Sequence, residues 1–195
     1  HKGLEWTEVA PPDGYGSAAY KRIVPAGTVP AIIHGGLTLA DSEAIAEYLD
    51  ESFPTPPMMP ADVTTRARAR ELSRFHDTRL EPVLRSFFGQ VAPSGRDATF
   101  IAETGALLQA RLDQLATIAE PAPLLTGKHL AIADCGFVAS FGILDLLREL
   151  LDLEVVLPHP IAAYASALAA QGSVTEEDSR YRKALRDWAR TKGAL

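Results

Sequence analysis

The stretch from Gly27 to Glu51 constrains the fold more than any other part of the chain. It sets out Gly27-Thr28-Val29-Pro30, a short apolar run, a Gly35-Gly36 pair, a second apolar run, and Asp41-Ser42 ahead of a helical pattern. Proline cannot donate to a sheet ladder, so Pro30 belongs at a strand's first residue or at an edge. The Gly-Gly pair is a favoured two-residue hairpin turn. The spacing therefore predicts a hairpin of Val29 to Ile33 with Leu37 to Leu39. A helix over Ser42 to Glu51 follows, with Ile45, Tyr48 and Leu49 on one face. Ser42 reads as that helix's N-cap, with Asp41 beside it.

The same residues point to a ligand. Pro25 and Gly27 are turn residues, and the bond before a proline is the one peptide bond that reaches the cis form readily. A cis Val29–Pro30 bond would leave the Val29 N–H and C=O facing outward, where an extended peptide can add to them like another strand. At the start of the next helix, backbone N–H groups and the Ser42 hydroxyl suit a carboxylate, and the Asp41 carboxylate suits an ammonium. Val29, Pro30, Asp41 and Ser42 together describe a site for a small peptide with a free amino-acid end. Glutathione is such a ligand.

The chain has 195 residues, enough to bury a substantial core in one or two domains. Its 47% hydrophobic and 23% charged content is that of a globular protein. A formal charge of −6 argues against general affinity for nucleic acid or an anionic membrane. The one cysteine, Cys135, cannot form an internal disulfide. With no signal-peptide pattern at the start, it favours a reducing cytoplasm. No apolar run approaches the roughly 20 residues that span a bilayer. Five scattered histidines and one thiol offer no metal spacing, and no Ser-His-Asp pattern is visible.

Along the rest of the chain, Leu4 to Val9 alternates like a half-buried strand. His1-Lys2-Gly3 reads as the tail of a helix ended by a left-handed glycine. A short helical turn fits Ser17 to Ile23. Pro54, Pro56, Pro57 and Pro60 form a stiff linker. Helices are predicted over Asp62 to Phe88, kinked at Pro82, and over Asp97 to Ala119, Ile132 to Leu151, Ile161 to Ala170 and Glu176 to Arg190. The segment Ile132 to Leu151 is apolar almost all round and should be the buried centre of a bundle. The expected domains are 1–53, a linker over 54–61, and an all-helical domain over 62–195.

This order, with Val29-Pro30, Asp41-Ser42 and Asp134 at matching spacing, resembles the glutathione transferase superfamily over essentially the whole chain. The resemblance implies a thioredoxin-like α/β N-terminal domain, incomplete here, followed by an all-α bundle. It also implies a strand and helix of roughly 20–25 residues ahead of Leu4, of which only the tail is present. The serine, tyrosine or cysteine that activates the glutathione sulfur is expected there, upstream of His1. No catalytic residue is assigned within the sequence.

The implied activity is transfer of the glutathione thiolate to a small apolar electrophile, by a cytoplasmic homodimer that needs no metal. The alternatives are isomerase, dehalogenase or etherase chemistry on the same site, or a non-catalytic interaction module. Phe75, His76 and Leu80 are the candidate electrophile pocket. Lys21 and Arg22 are either partners for the glycine carboxylate or simply solvated. Arg66, Arg70 and Arg74 form a stripe that suits a subunit interface or a solvated face. Asp134 is the structural cap of the buried helix. The family's Ser/Thr-x-x-Asp box has Ala131 in place of its hydroxyl, so only Asp134 can reach back. Cys135 is expected in the core.

Overall fold

Gly35 and Gly36 both hold positive φ, 56° and 85°, and close a hairpin between β1 (Ala31–His34) and β2 (Leu37–Ala40). Two consecutive left-handed residues match the right-handed twist of the strands, which is why glycines stand there. The antiparallel register runs from Ala31 opposite Ala40 to His34 opposite Leu37. The computed structural model describes His1–Leu195. The chain divides into two compact units, His1–Met59 and Pro60–Leu195. The first is a small α/β unit and the second is helical, the thioredoxin-like and all-α arrangement expected.

In the first unit a short helix α1 (Ala18–Lys21) precedes the hairpin, and α2 (Ser42–Ser52) follows it. Leu4 to Val9 is not a strand. It is irregular, with Trp6 81% and Val9 77% exposed. A half-buried strand needs a ladder partner, and the hairpin strands pair only with each other. His1-Lys2-Gly3 is likewise not helical, although Gly3 is left-handed at φ 64°. Lys2 instead reaches α2. Its ammonium pairs with the buried Asp50 at 2.6 Å and donates to the Phe53 and Pro56 carbonyls at 2.7 Å each. Asp50 also accepts the Met58 and Met59 amides, at 2.8 and 3.0 Å. This one carboxylate fixes the proline segment against α2.

The helical unit contains α3 (Val63–Phe75), α4 (Glu81–Ser86), α5 (Ala98–Ile118), α6 (Ile132–Leu151), α7 (His159–Ala169) and α8 (Gly172–Thr191). Asp62 and Asp97 cap α3 and α5 by accepting the Thr65 and Phe100 amides. The helix expected over Asp62 to Phe88 is continuous only as far as Phe75. A wide π-type turn, His76–Leu80, then separates α3 from α4. Pro82 brings no N–H to bond back into that turn, so the register slips before it. The core is built around α6, where Phe137, Leu144 and Leu147 are buried together with Tyr164 of α7. No helix is long and apolar enough to cross a membrane.

Candidate functional site

The hairpin register brings the two sequence-distant halves of the candidate site side by side. Ala31 pairs with Ala40, so Val29-Pro30 and Asp41-Ser42 leave the same end of the hairpin together. The Val29–Pro30 bond is cis. Val29 is 54% exposed, and its amide and carbonyl take part in none of the chain's hydrogen bonds. The turn ahead of it is held from α1. Ser17 caps α1 by accepting the Tyr20 amide at 3.0 Å, and the Tyr20 hydroxyl donates to the Thr28 carbonyl at 2.8 Å. The Lys21 stem lies across Gly27, where a Cβ would stand 2.7 Å from Lys21 Cε. Lys21 therefore lies beside the Val29 turn. Arg22 is the exposed residue that ends α1.

At the start of α2 the N-cap is Asp41, not Ser42. The Asp41 carboxylate accepts the Glu43 and Ala44 amides at 3.1 and 3.0 Å. Asp41 adopts φ 91°, a region that costs a non-glycine residue on the order of 1–3 kcal/mol. A carboxylate reaches those amides better from one position earlier, which moves the cap by one residue. Ser42 thereby becomes the first helical residue. It is exposed, and its amide and hydroxyl are unpaired within the chain. Two unpaired donors of Ser42, an unpaired strand edge at Val29 and one carboxylate at Asp41 make a surface that suits a short zwitterionic peptide.

The candidate electrophile pocket is a packed core instead. Phe75, His76 and Leu80 are 7%, 5% and 1% exposed. The His76 ring faces Phe137 at a centroid distance of 4.7 Å. The π-type turn rotates these side chains inward, which helical spacing alone does not reveal. His76 Nδ1 lies 2.8 Å from Asp77 Oδ1, and Nε2 lies 2.8 Å from Ser140 Oγ. An ionised carboxylate only accepts, so Nδ1–H donates to Asp77, and in the neutral ring Nε2 then accepts from Ser140. This is a Ser-His-Asp line that the sequence reading missed. Ser140 is buried, so the line joins helices rather than attacking a substrate. Gly136 makes room for it, since a Cβ there would lie 2.5 Å from His76 Cε1.

Asp134 closes half of a capping box on α6. Its Oδ2 accepts the Ala131 amide at 2.9 Å, and its Oδ1 accepts the Leu125 amide at 3.2 Å. Burial pushes its carboxyl above the ordinary range, against the lowering effect of those two amides. The Tyr164 hydroxyl is buried near Asp134 without a bond of ordinary geometry. Burial first, and the Asp134 charge second, push that phenol well above its usual range. Cys135 is exposed rather than in the core, and its thiol approaches the Ala131 carbonyl at 3.6 Å. In the basic stripe, Arg66 donates to the Pro60 and Ala61 carbonyls, while Arg70 and Arg74 are exposed. No group of three His, Cys, Asp or Glu side chains is placed to hold a metal.

The chain is also similar to proteins of known family. Residues 1–57 match the family model described as glutathione S-transferase, N-terminal domain. Glutathione S-transferase Z1 of Arabidopsis thaliana is 50% identical over 48 residues, 25% of this chain and 22% of that protein. The stringent starvation protein A homolog of Pasteurella multocida (strain Pm70) is 34% identical over 137 residues, covering 69% of this chain and 60% of that one. The matched part spans about a quarter of the length of the first curated relatives, at 22%, 26% and 22%. Among solved structures, the holo form of maleyl pyruvate isomerase, a bacterial zeta-class glutathione S-transferase, superposes with a TM-score of 0.67. It is 25% identical, over 89% of this chain and 85% of that one. The hairpin behind Pro30, the Asp-Ser helix start, the bundle around α6 and these likenesses lead to one conclusion: the chain belongs to the glutathione S-transferase superfamily.

Proposed function

We propose that the protein binds glutathione on its N-terminal unit and uses it as co-substrate. The observation that carries this reading is the shared hairpin end. There the unpaired main chain of Val29 lies beside the unpaired Ser42 donors and the Asp41 carboxylate. The cysteinyl part of the tripeptide would add to Val29 as a strand, with Pro30 shaping the edge. Its γ-glutamyl carboxylate would take the Ser42 amide and hydroxyl, and its ammonium the outer face of Asp41. Lys21, lying over Gly27, suits the glycine carboxylate. These residues position the peptide and leave its sulfur free to react, with the thiolate as nucleophile.

The proposed reaction is transfer of that thiolate to a small apolar electrophile, by a homodimer in a reducing cytoplasm. A second reading, glutathione-dependent isomerisation, is favoured by the 25% identity to the holo maleyl pyruvate isomerase over most of both chains. Retention on immobilised glutathione tests the shared step. The wild type is expected to be retained and released by free glutathione, and Ser42→Ala to be retained poorly. Wild type passing straight through would overturn the proposal. Turnover of an aryl halide or of a cis-enedioate by the retained protein then separates conjugation from isomerisation.

A further inference from the structure

A cavity of about 440 Å³ opens within the helical unit, a size found in small-molecule sites. Leu72 of α3, Ile118 of α5 and Leu125 form its apolar wall. Two of its hydroxyls are more one-sided than their names suggest. The Thr65 hydroxyl donates its proton to Asp62 Oδ2 at 2.8 Å, and the Thr117 hydroxyl donates to the Asp113 carbonyl at 3.0 Å. A hydroxyl has one proton, so both oxygens offer the cavity only lone pairs. Arg68, the one cation of the wall, is paired with Glu71 through one terminal nitrogen. Helix α5 also ends here. The Ala119 amide closes on the Leu115 carbonyl at 2.8 Å, and the carbonyls of Ala116, Thr117 and Ile118 accept no main-chain bond. A helix C-terminus carries partial negative charge, and Glu120 adds a full one at the same wall.

We propose that this cavity binds an organic ammonium. The cationic head would donate to Glu120 and the end of α5, and the apolar body would lie on Leu72, Ile118 and Leu125. Thr126 and the remaining Arg68 N–H groups also line the cavity. The preference for a cation therefore rests on Glu120 and the unbonded carbonyls that end α5, acceptors that a carboxylate of the same size cannot fill. The site lies wholly in the helical unit and is separate from the glutathione reading.

The test titrates the full chain with hexylammonium and, in parallel, with size-matched hexanoate, following the Thr126 and Gly127 amides that line the cavity. Hexylammonium is expected to saturate in the millimolar range, the scale its roughly seven non-hydrogen atoms support, and hexanoate to bind more weakly. Glu120→Gln should weaken hexylammonium about two- to fivefold, the size of a half-exposed ion pair, while Arg68→Gln should not weaken it. Both substitutions are at exposed positions, and unchanged melting temperatures will confirm folding. Non-saturating shifts, equal response to hexanoate, or weakening by Arg68→Gln with none by Glu120→Gln would overturn the proposal.

Discussion

Gly136 carries the tightest steric demand in the helical unit, because His76 lies where its side chain would be. Gly136→Ala is expected to cost about 1–3 kcal/mol through overpacking. His76→Ala should recover part of that loss in the double variant, since the two positions touch; denaturant unfolding of the four proteins measures it. At the other end of the same helix turn, Ala131→Ser supplies the missing half of the capping box. It should raise stability by roughly 0.5–2 kcal/mol, read as a higher melting temperature. Asp134 gives a pH signature. Its folded pKa is raised by burial, so its favourable contribution is fully present below the unfolded value and is lost as pH rises through the folded one. The melting temperature of wild type relative to Asp134→Asn should therefore increase as pH falls from neutrality toward 4; a decrease would contradict the assigned burial. The sequence made Asp134 readable because its partner is three residues away. It hid Gly136 and Ser140, whose partner His76 lies sixty or more residues back and turns inward only at a π-type turn.

Between elements, the strongest tie in the N-terminal unit runs through Asp50, which takes the Lys2 ammonium and two linker amides. Asp50→Ala leaves a buried cation with only two carbonyls and should cost about 3–5 kcal/mol. Hydrogen exchange at Met58 and Met59 should accelerate first; unchanged exchange there would contradict this role for the carboxylate. Most elements were legible because their signals are local: Gly35-Gly36 for the hairpin, and a segment apolar almost all round for α6. The failures were of another kind. Leu4 to Val9 alternates correctly, yet a strand exists only with a neighbour to pair with. The cap of α2 moved to Asp41 because a carboxylate competes with the adjacent hydroxyl for the same amides.

For the molecule as a whole, the two units divide the chemistry. The first offers unpaired main chain and one strained acidic residue at an open hairpin end, and the second offers a packed core and a polar-rimmed cavity. The candidate glutathione site was readable because Val29-Pro30 and Asp41-Ser42 bracket a hairpin of fixed length. The electrophile side was not, because it depends on how side chains turn within the bundle. The central claim is tested most directly by following backbone amides during titration with glutathione. The account predicts saturable shifts at Val29 and Ser42 that weaken about tenfold in Ser42→Ala, the loss of one hydrogen bond to a charged group. Saturation with both amides unmoved, or equal affinity in the variant, would contradict it.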